Sequence, residues 1–215
     1  MKKYMIGKKI GMTQLFDETG KVIPVTVVET TPNYVTQIKT QKTDGYDAIQ
    51  VGAIEQKKNL TTKPEEGHFK KAGVTPKKVL QEFLTENPSE YQLGQEIKCD
   101  VFAAGDLVDV TANTRGRGFT GAIQRWNNAR GRMSHGAGPV HRAQGSIGGR
   151  TFPGRVWKNK HMAGQYGNEQ VTVKNLQVVK VDVAKNCLMI KGSIPGPSGR
   201  VVTVQEAKSA MRGNK

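Results

Sequence analysis

Acidic residues are missing from a long internal stretch of this 215-residue sequence. From Val110 to Asn168, 59 residues pass without one Asp or Glu, although the whole chain has 18 of them. The same stretch holds ten of the 33 basic residues and so supplies +10 of the formal net charge of +15. A segment with no carboxylates cannot neutralise its own charge or supply an acidic partner for catalysis. It predicts a polyanionic partner, nucleic acid above all, with an anionic membrane surface as the lesser option.

Cysteines and long apolar runs are also scarce. Cys99 and Cys187 are the only two cysteines, and they form neither a disulfide framework nor a CxxC metal pair. We interpret both as small hydrophobic residues in a reducing compartment. No apolar run approaches the roughly 18 residues of a membrane span. The basic start MKKYMIGKKIGM is not followed by the apolar core of a signal peptide. These absences predict a cytoplasmic protein without a membrane partner.

Arginine, glycine and ring-bearing residues are concentrated where the acids are missing. Eight of the ten arginines lie there, against two of the 23 lysines, and twelve of the 25 glycines fall between Gly116 and Gly167. Arginine offers a planar, forked donor for phosphates and stacks on bases, and rings stack on unpaired bases of irregular RNA. A disordered basic tail is the alternative, but such tails are usually terminal and rich in lysine. The candidate RNA-binding residues are Arg115, Arg117, Arg125, Trp126, Arg130, Arg132, His135, His141, Arg142, Arg150, Phe152, Arg155, Trp157, Lys158, Lys160 and His161.

On both sides of this segment the sequence is typical of β-structure. β-Branched runs divided by turn residues predict strands over Tyr4–Phe16, Val22–Glu29, Tyr34–Thr40 and Tyr46–Ile54. After the segment, apolar and polar residues alternate from Val171 to Val183, but the phase of the alternation shifts, as it does in bulged strands. Shorter strands are predicted over Cys187–Lys191 and Val201–Val204. Strands at both ends with little helix between them indicate a mainly β protein built on a closed barrel.

Three helices are predicted. Thr75 can cap a helix with Pro76 in its first position, Val79, Leu80, Phe83 and Leu84 form an apolar stripe, and Asn87-Pro88 ends it. With a second helix over Glu65–Ala72, it would form a small helical insertion near residues 62–92. A third, short helix is predicted from Thr120 to about Asn128.

Signals for enzyme chemistry are weak. GRGFTG, Gly116 to Gly121, matches G-x-G-x-x-G literally, but a dinucleotide site needs a βαβ unit and an acid about 20 residues later, and the next acid is Glu169. The three histidines of the segment lack nearby carboxylates or cysteines for a zinc site. Ser134 and Ser146 lack an acidic partner for a nucleophilic triad. We therefore predict no enzyme activity, no catalytic residue, no metal, no cofactor and no small-molecule substrate.

Longer motifs resemble a known family. FAAGDLVDVTANTRGRGFTGAIQR is similar to the signature of the ribosomal protein L3 family of the large subunit. IGKKIGMTQLFDETG, SHGAGPVHRAQGSIGGRTFPGRV and MAGQYGNEQVTVKNLQVV resemble its bacterial members, so the similarity covers nearly the whole chain. The residues that match the signature pattern are Phe102, Asp109, Ala112, Thr114, Gly116-Arg117-Gly118, Gly121 and Arg125.

The resemblance implies a structural protein of the large ribosomal subunit in the cytoplasm. It implies a barrel of the translation-factor kind, begun by residues 1–114, interrupted by an RNA-penetrating loop over 115–167 and completed by 168–215. It also implies binding to large-subunit ribosomal RNA near its 3′ end early in assembly, with ribosomal proteins L14 and L19 as neighbours. The loop tip would approach the peptidyl transferase centre. The tip residues are Gly145, Ser146, Gly148, Gly149, Arg150, Thr151 and Pro153.

One position departs from some relatives. Thr151 stands where some bacterial members carry a methylated glutamine, so amide methylation is not expected here. Two other functions stay open on the residues alone. One is an architectural or regulatory binder of another nucleic acid, and the other is an oxidoreductase that uses a similar barrel and binds a flavin or nicotinamide.

Overall fold

The structure is a computed structural model that describes residues 3–209. Its α-helices are α1 (Gln41–Asp44), α2 (Lys63–Ala72) and α3 (Ala122–Trp126), with short 3₁₀ turns at Lys58–Leu60, Pro88–Glu90 and Cys99–Val101. The strands of the described chain are β1 (Tyr4–Phe16), β2 (Val22–Glu29), β3 (Asn33–Lys39), β4 (Ala48–Glu55), β5 (Lys77–Leu84), β6 (Glu96–Ile97), β7 (Leu107–Asn113), β8 (Phe119–Thr120), β9 (Gly164–Gln165), β10 (Gln170–Asp182), β11 (Cys187–Lys191) and β12 (Val201–Glu206).

Six of these strands form a closed antiparallel barrel in the order β1-β12-β7-β10-β11-β2. Alternate side chains point inward, and the fully buried ones include Met5, Val28, Val110, Val178 and Leu188. β-Branched residues fill a small barrel well because they pack against their neighbours on a pleated surface. The prediction of a mainly β fold with a closed barrel is confirmed.

The phase slips predicted after residue 170 are bulges in β10. The register of β10 shifts between Val173 and Leu176 against β7, and between Val178 and Lys180 against β11. At the first shift, Asn175 has a positive φ of 57° and its backbone N–H donates to the Asp109 carboxylate at 2.9 Å. Asp109 is only 6% exposed, so this buried hydrogen bond stabilises the bulge.

A second antiparallel sheet has the strand order β5-β4-β3-β6. Ile49, Val51 and Phe83 are buried in its core cluster together with Ile6 of β1. The Phe83 ring stacks on that of Tyr4 with 4.7 Å between centroids. Burial raises the pKa of the Tyr4 hydroxyl to about 12, and the hydroxyl donates to the Leu84 carbonyl oxygen.

The helix predicted from Thr75 to Asn87 is wrong, because this segment forms β5. β5 pairs with β4 from Lys77 to Leu84, with only Lys78 skipped in the register. Phe83 is 4% exposed but the adjacent Leu84 is 64% exposed, which is the alternation of a strand and not the stripe of a helix. Pairing with an already buried strand outweighs the local capping signals, so the region near residues 62–92 combines one helix with one sheet strand.

The other two predicted helices are present. The helix predicted over Glu65–Ala72 is α2, whose first turn includes Pro64 and which ends at Gly73 with a φ of 70°. The Glu65 carboxylate accepts a hydrogen bond from the Thr62 backbone N–H at 3.0 Å, and this bond lowers the pKa of the carboxyl. The short helix predicted after Thr120 is α3.

The chain divides into two compact units. One runs up to Asn113 and resumes at Gln170, and it contains the barrel and the second sheet. The other is Thr114–Glu169, which we call the basic unit. Cys99 is buried and Cys187 is half-buried in the first unit, and burial raises the pKa of both thiols. No helix in residues 3–209 is long and apolar enough to cross a membrane.

Candidate nucleic-acid interface

The basic unit begins and ends in a hydrogen-bonded neck. Phe119 and Thr120 of β8 pair with Gln165 and Gly164 of β9. The backbone N–H of Arg117 donates to the Tyr166 carbonyl at 2.9 Å, and that of Tyr166 donates to the Gly118 carbonyl at 3.0 Å. These bonds hold the two chain passages side by side. The Arg117 guanidinium lies over the Tyr166 ring, 5.8 Å from its centroid.

Gly167 makes the close approach of these passages possible. Its φ is 73°, and a Cβ atom there would overlap the Arg115 carbonyl oxygen. Any larger residue at this position would therefore meet both backbone strain and a steric clash. The backbone conformation and the lack of space therefore require glycine at residue 167.

Arg125 and Trp126 lie at the end of α3 and tie this helix to the returning chain passage. The Arg125 guanidinium and the Trp126 indole N–H both donate to the Met162 carbonyl, at 3.1 and 3.0 Å. The Trp126 ring also stacks on His161, with 4.4 Å between centroids and an interplanar angle of 3°. Two of the predicted RNA-binding residues thus donate hydrogen bonds within the protein, and Trp126 also fixes the orientation of a third, His161.

Residues 127–163 contain turns, bends and irregular backbone between α3 and β9. The Gly131 N–H donates to the His141 carbonyl at 2.9 Å, and His141 Nδ1 hydrogen-bonds with the Arg132 carbonyl at 3.0 Å. This pair of bonds closes the loop 131–141. His135 lies exposed in that loop with a φ of 60°.

Most of the remaining predicted residues are exposed. Phe152 is 88% exposed and Trp157 is 57% exposed. The Arg155 guanidinium lies over the Trp157 ring, 4.8 Å from its centroid. Exposed rings of this size are costly to keep in water, so a surface of this kind is typical of a binding site. The other exposed predicted residues are Arg115, Arg117, Arg130, Arg132, Arg142, Arg150, Lys158 and Lys160.

The positive charge of the basic unit is not neutralised internally. Among residues 3–209, no ion pair involves an arginine of the basic unit, whereas pairs such as Lys3–Asp106 and Lys39–Glu82 lie in the barrel unit. In the same range, no three His, Cys, Asp or Glu side chains lie together in a way that could hold a metal ion. An exposed surface of unpaired guanidinium groups and rings can bind phosphates and stack on bases.

Sequence reasoning missed several residues that shape the unit. Tyr166 supports Arg117, and Met162 contributes only its backbone carbonyl, for which no side-chain pattern gives a signal. Asn128, Gln144 and Asn159 line a cavity with Lys160 and His161. In the sequence, single Asn and Gln residues in a glycine-rich stretch cannot be distinguished from ordinary loop residues.

Comparison with known proteins agrees with the resemblance. A family model described as Ribosomal protein L3 matches residues 82–186. Large ribosomal subunit protein uL3 of Thermosipho africanus (strain TCF52B) is 53% identical over 206 residues, which cover 96% of this chain and 98% of the relative. The chain belongs to the ribosomal protein L3 family. Large ribosomal subunit protein uL3 of Alkaliphilus metalliredigens (strain QYMF) is 50% identical over 203 residues, or 94% of this chain and 96% of the relative.

Membership of the L3 family confirms two predictions and removes one alternative. The family resemblance read from the motifs is confirmed, and so is the expectation of a structural protein that is not an enzyme. The oxidoreductase alternative is therefore excluded. GRGFTG lies in the matched region, at β8 and just before the five-residue α3; the Gly118 carbonyl accepts a hydrogen bond across the neck, and Gly121 precedes α3.

Proposed function

We propose that this protein is a structural constituent of the large ribosomal subunit and binds its RNA through the basic unit. The observation that supports this most strongly is the set of exposed rings and arginines on Thr114–Glu169, a unit with a single acid, Glu169, at its last residue; within residues 3–209 these arginines form no ion pair. Each phosphate contact releases a counterion, and each stacked base adds about 1–3 kcal/mol. The barrel unit carries no comparable concentration of charge and serves as the folded anchor of the chain.

The finer parts of the proposal are those that the family resemblance implies. The protein binds near the 3′ end of the large-subunit RNA early in assembly, in the cytoplasm, beside ribosomal proteins L14 and L19. The stretch from Gly145 to Pro153 extends toward the peptidyl transferase centre. Its composition suits that place because glycine allows close approach to RNA, while Arg150 and Phe152 offer a guanidinium and a ring.

Competition binding tests the proposed function against a general nucleic-acid binder. Labelled 3′-terminal domain of large-subunit RNA is bound to the full chain and displaced with unlabelled RNA or with duplex DNA of equal length. Contacts to unpaired bases and 2′-hydroxyls predict that the RNA displaces at a concentration at least about tenfold lower than the DNA. Equal displacement by both competitors would contradict the proposal and favour a binder of nucleic acid in general.

A further inference from the structure

The basic unit contains a cavity of about 290 Å³. Three stretches that are far apart in the sequence line it, namely Asn128 after α3, Gln144 before the tip, and Asn159, Lys160 and His161 on the return passage. All five residues belong to the basic unit, so the cavity is defined within one compact body. Its size suits one small planar group.

Three of the residues that line the cavity carry side-chain amides, and these amides have no hydrogen-bond partner among the described residues. Within residues 3–209, the side-chain amides of Asn128, Gln144 and Asn159 make no hydrogen bond, although Asn128 and Gln144 are half-buried. Asn33, a buried amide of the barrel unit, instead makes three hydrogen bonds with the backbone. Three residues with unused amides at one cavity can offer paired donors and acceptors to a ligand.

A ring and a cation complete the cavity. His161 is held in place because its ring stacks on Trp126, which is itself hydrogen-bonded to the Met162 carbonyl. The exposed Lys160 can reach a phosphate. None of the described residues that line the cavity is a carboxylate, so it suits a neutral planar group attached to an anionic backbone and does not suit a metal cation.

We propose that this cavity binds a single unpaired adenine of the RNA, an inference that rests on the proposed function. An amide matches adenine because it donates to N7 and accepts from the N6 amino group, which is the pairing typical of Asn and Gln. Histidine is among the side chains on which unpaired RNA bases stack. The amides thus select the base, while the arginines elsewhere on the unit bind the backbone without regard to sequence.

Substitution of adenosine by 7-deaza-adenosine tests the inference, since it removes only the N7 acceptor. The analogue is incorporated at random in the 3′-terminal RNA domain, and RNA bound by the full chain is compared with unbound RNA. The cavity variant combines Asn128→Ala, Gln144→Ala and Asn159→Gly, the last because Asn159 has a φ of 62° that glycine adopts without strain. The matched control combines Gln124→Ala and Asn127→Gly, two exposed amides outside the cavity.

For the wild type and the control, we expect the analogue to weaken binding about tenfold at one adenosine. For the cavity variant, the effect at that position falls below about twofold, because the partner of N7 is already gone. A cavity variant that binds RNA with the wild-type interference pattern would overturn the inference and leave the proposed function intact. Failure of the wild type to bind this RNA at all would instead overturn the proposed function, and the inference with it. Circular dichroism checks that the variants are folded, and Asn159→Gly alone is the substitute if the triple change is not.

Discussion

At the scale of single residues, substitution of Gly167 is expected to destabilise the neck. In Gly167→Ala, the left-handed backbone costs about 1–2 kcal/mol, and the Cβ atom also clashes with the Arg115 carbonyl. The neck should therefore open more often. Hydrogen exchange of the Arg117 and Tyr166 amides, which bond across the neck, is expected to become at least about tenfold faster.

Gly116→Ala is the matched control for this change. Gly116 does not have a positive φ, and a Cβ atom there would lie 3.5 Å from that of Asn168, an ordinary contact. Exchange at Arg117 and Tyr166 should stay near the wild-type rate in this variant. Equal acceleration in both variants would show that the close approach at Gly167 does not hold the neck.

Single residues also show where sequence reasoning reaches its limit. Their residue type, and their place in a stretch without acidic residues, were enough to identify Arg125 and Arg150 as RNA-binding candidates. The sequence could not show that Arg125 donates to the Met162 carbonyl while Arg150 is exposed, because that difference depends on contacts across 37 residues of chain. The cavity amides could not be predicted for the same reason.

At the scale of elements, β5 provides the clearest test of the fold. Phe83 is 4% exposed and Leu84 is 64% exposed, although both would lie on the same stripe of a helix. Phe83→Ala is expected to lower the free energy of unfolding by about 3–5 kcal/mol. Leu84→Ala is the control and should change it by no more than about 0.5 kcal/mol.

Urea denaturation followed by far-ultraviolet circular dichroism measures both values. Tryptophan fluorescence is less suitable because Trp126 and Trp157 both lie in the basic unit. Similar losses in the two variants would mean that the segment buries both residues, as a helix would, and would contradict the strand.

Strands with a clear local signal were predicted correctly, as were α2 and α3. Alternation, turn residues and phase slips located β1 to β4 and the bulged β10 within one or two residues. For β5, the local capping signals favoured a helix, and the deciding factor was pairing with β4, which no window of sequence contains. The closed order of the barrel also depends on long-range pairing, such as that of β1 with β12.

At the scale of the whole molecule, the excess positive charge and the apolar core lie in different units. The barrel unit balances most of its charges and buries an apolar interior, whereas no arginine of the basic unit forms an ion pair within residues 3–209. RNA binding should therefore depend on where a cation lies and not only on the net charge. Two variants with the same loss of charge separate these possibilities.

The most direct measurement is the salt dependence of binding to the 3′-terminal domain of large-subunit RNA. One variant changes Arg130, Arg132, Arg142 and Arg150 to Gln, four exposed side chains without ion pairs among the described residues. The control changes Lys42, Lys57, Lys58 and Lys78 to Gln, which are equally exposed on the barrel unit. Both changes lower the net charge from +15 to +11, by subtraction of four from the wild-type value.

The account predicts that the arginine variant lowers the slope of log affinity against log salt by about three, since each lost phosphate contact removes about 0.7–0.9. The lysine control should keep a slope within about one of the wild type. Equal losses in the two variants would contradict the account, because RNA would then respond to net charge alone and the basic unit would not be its binding surface.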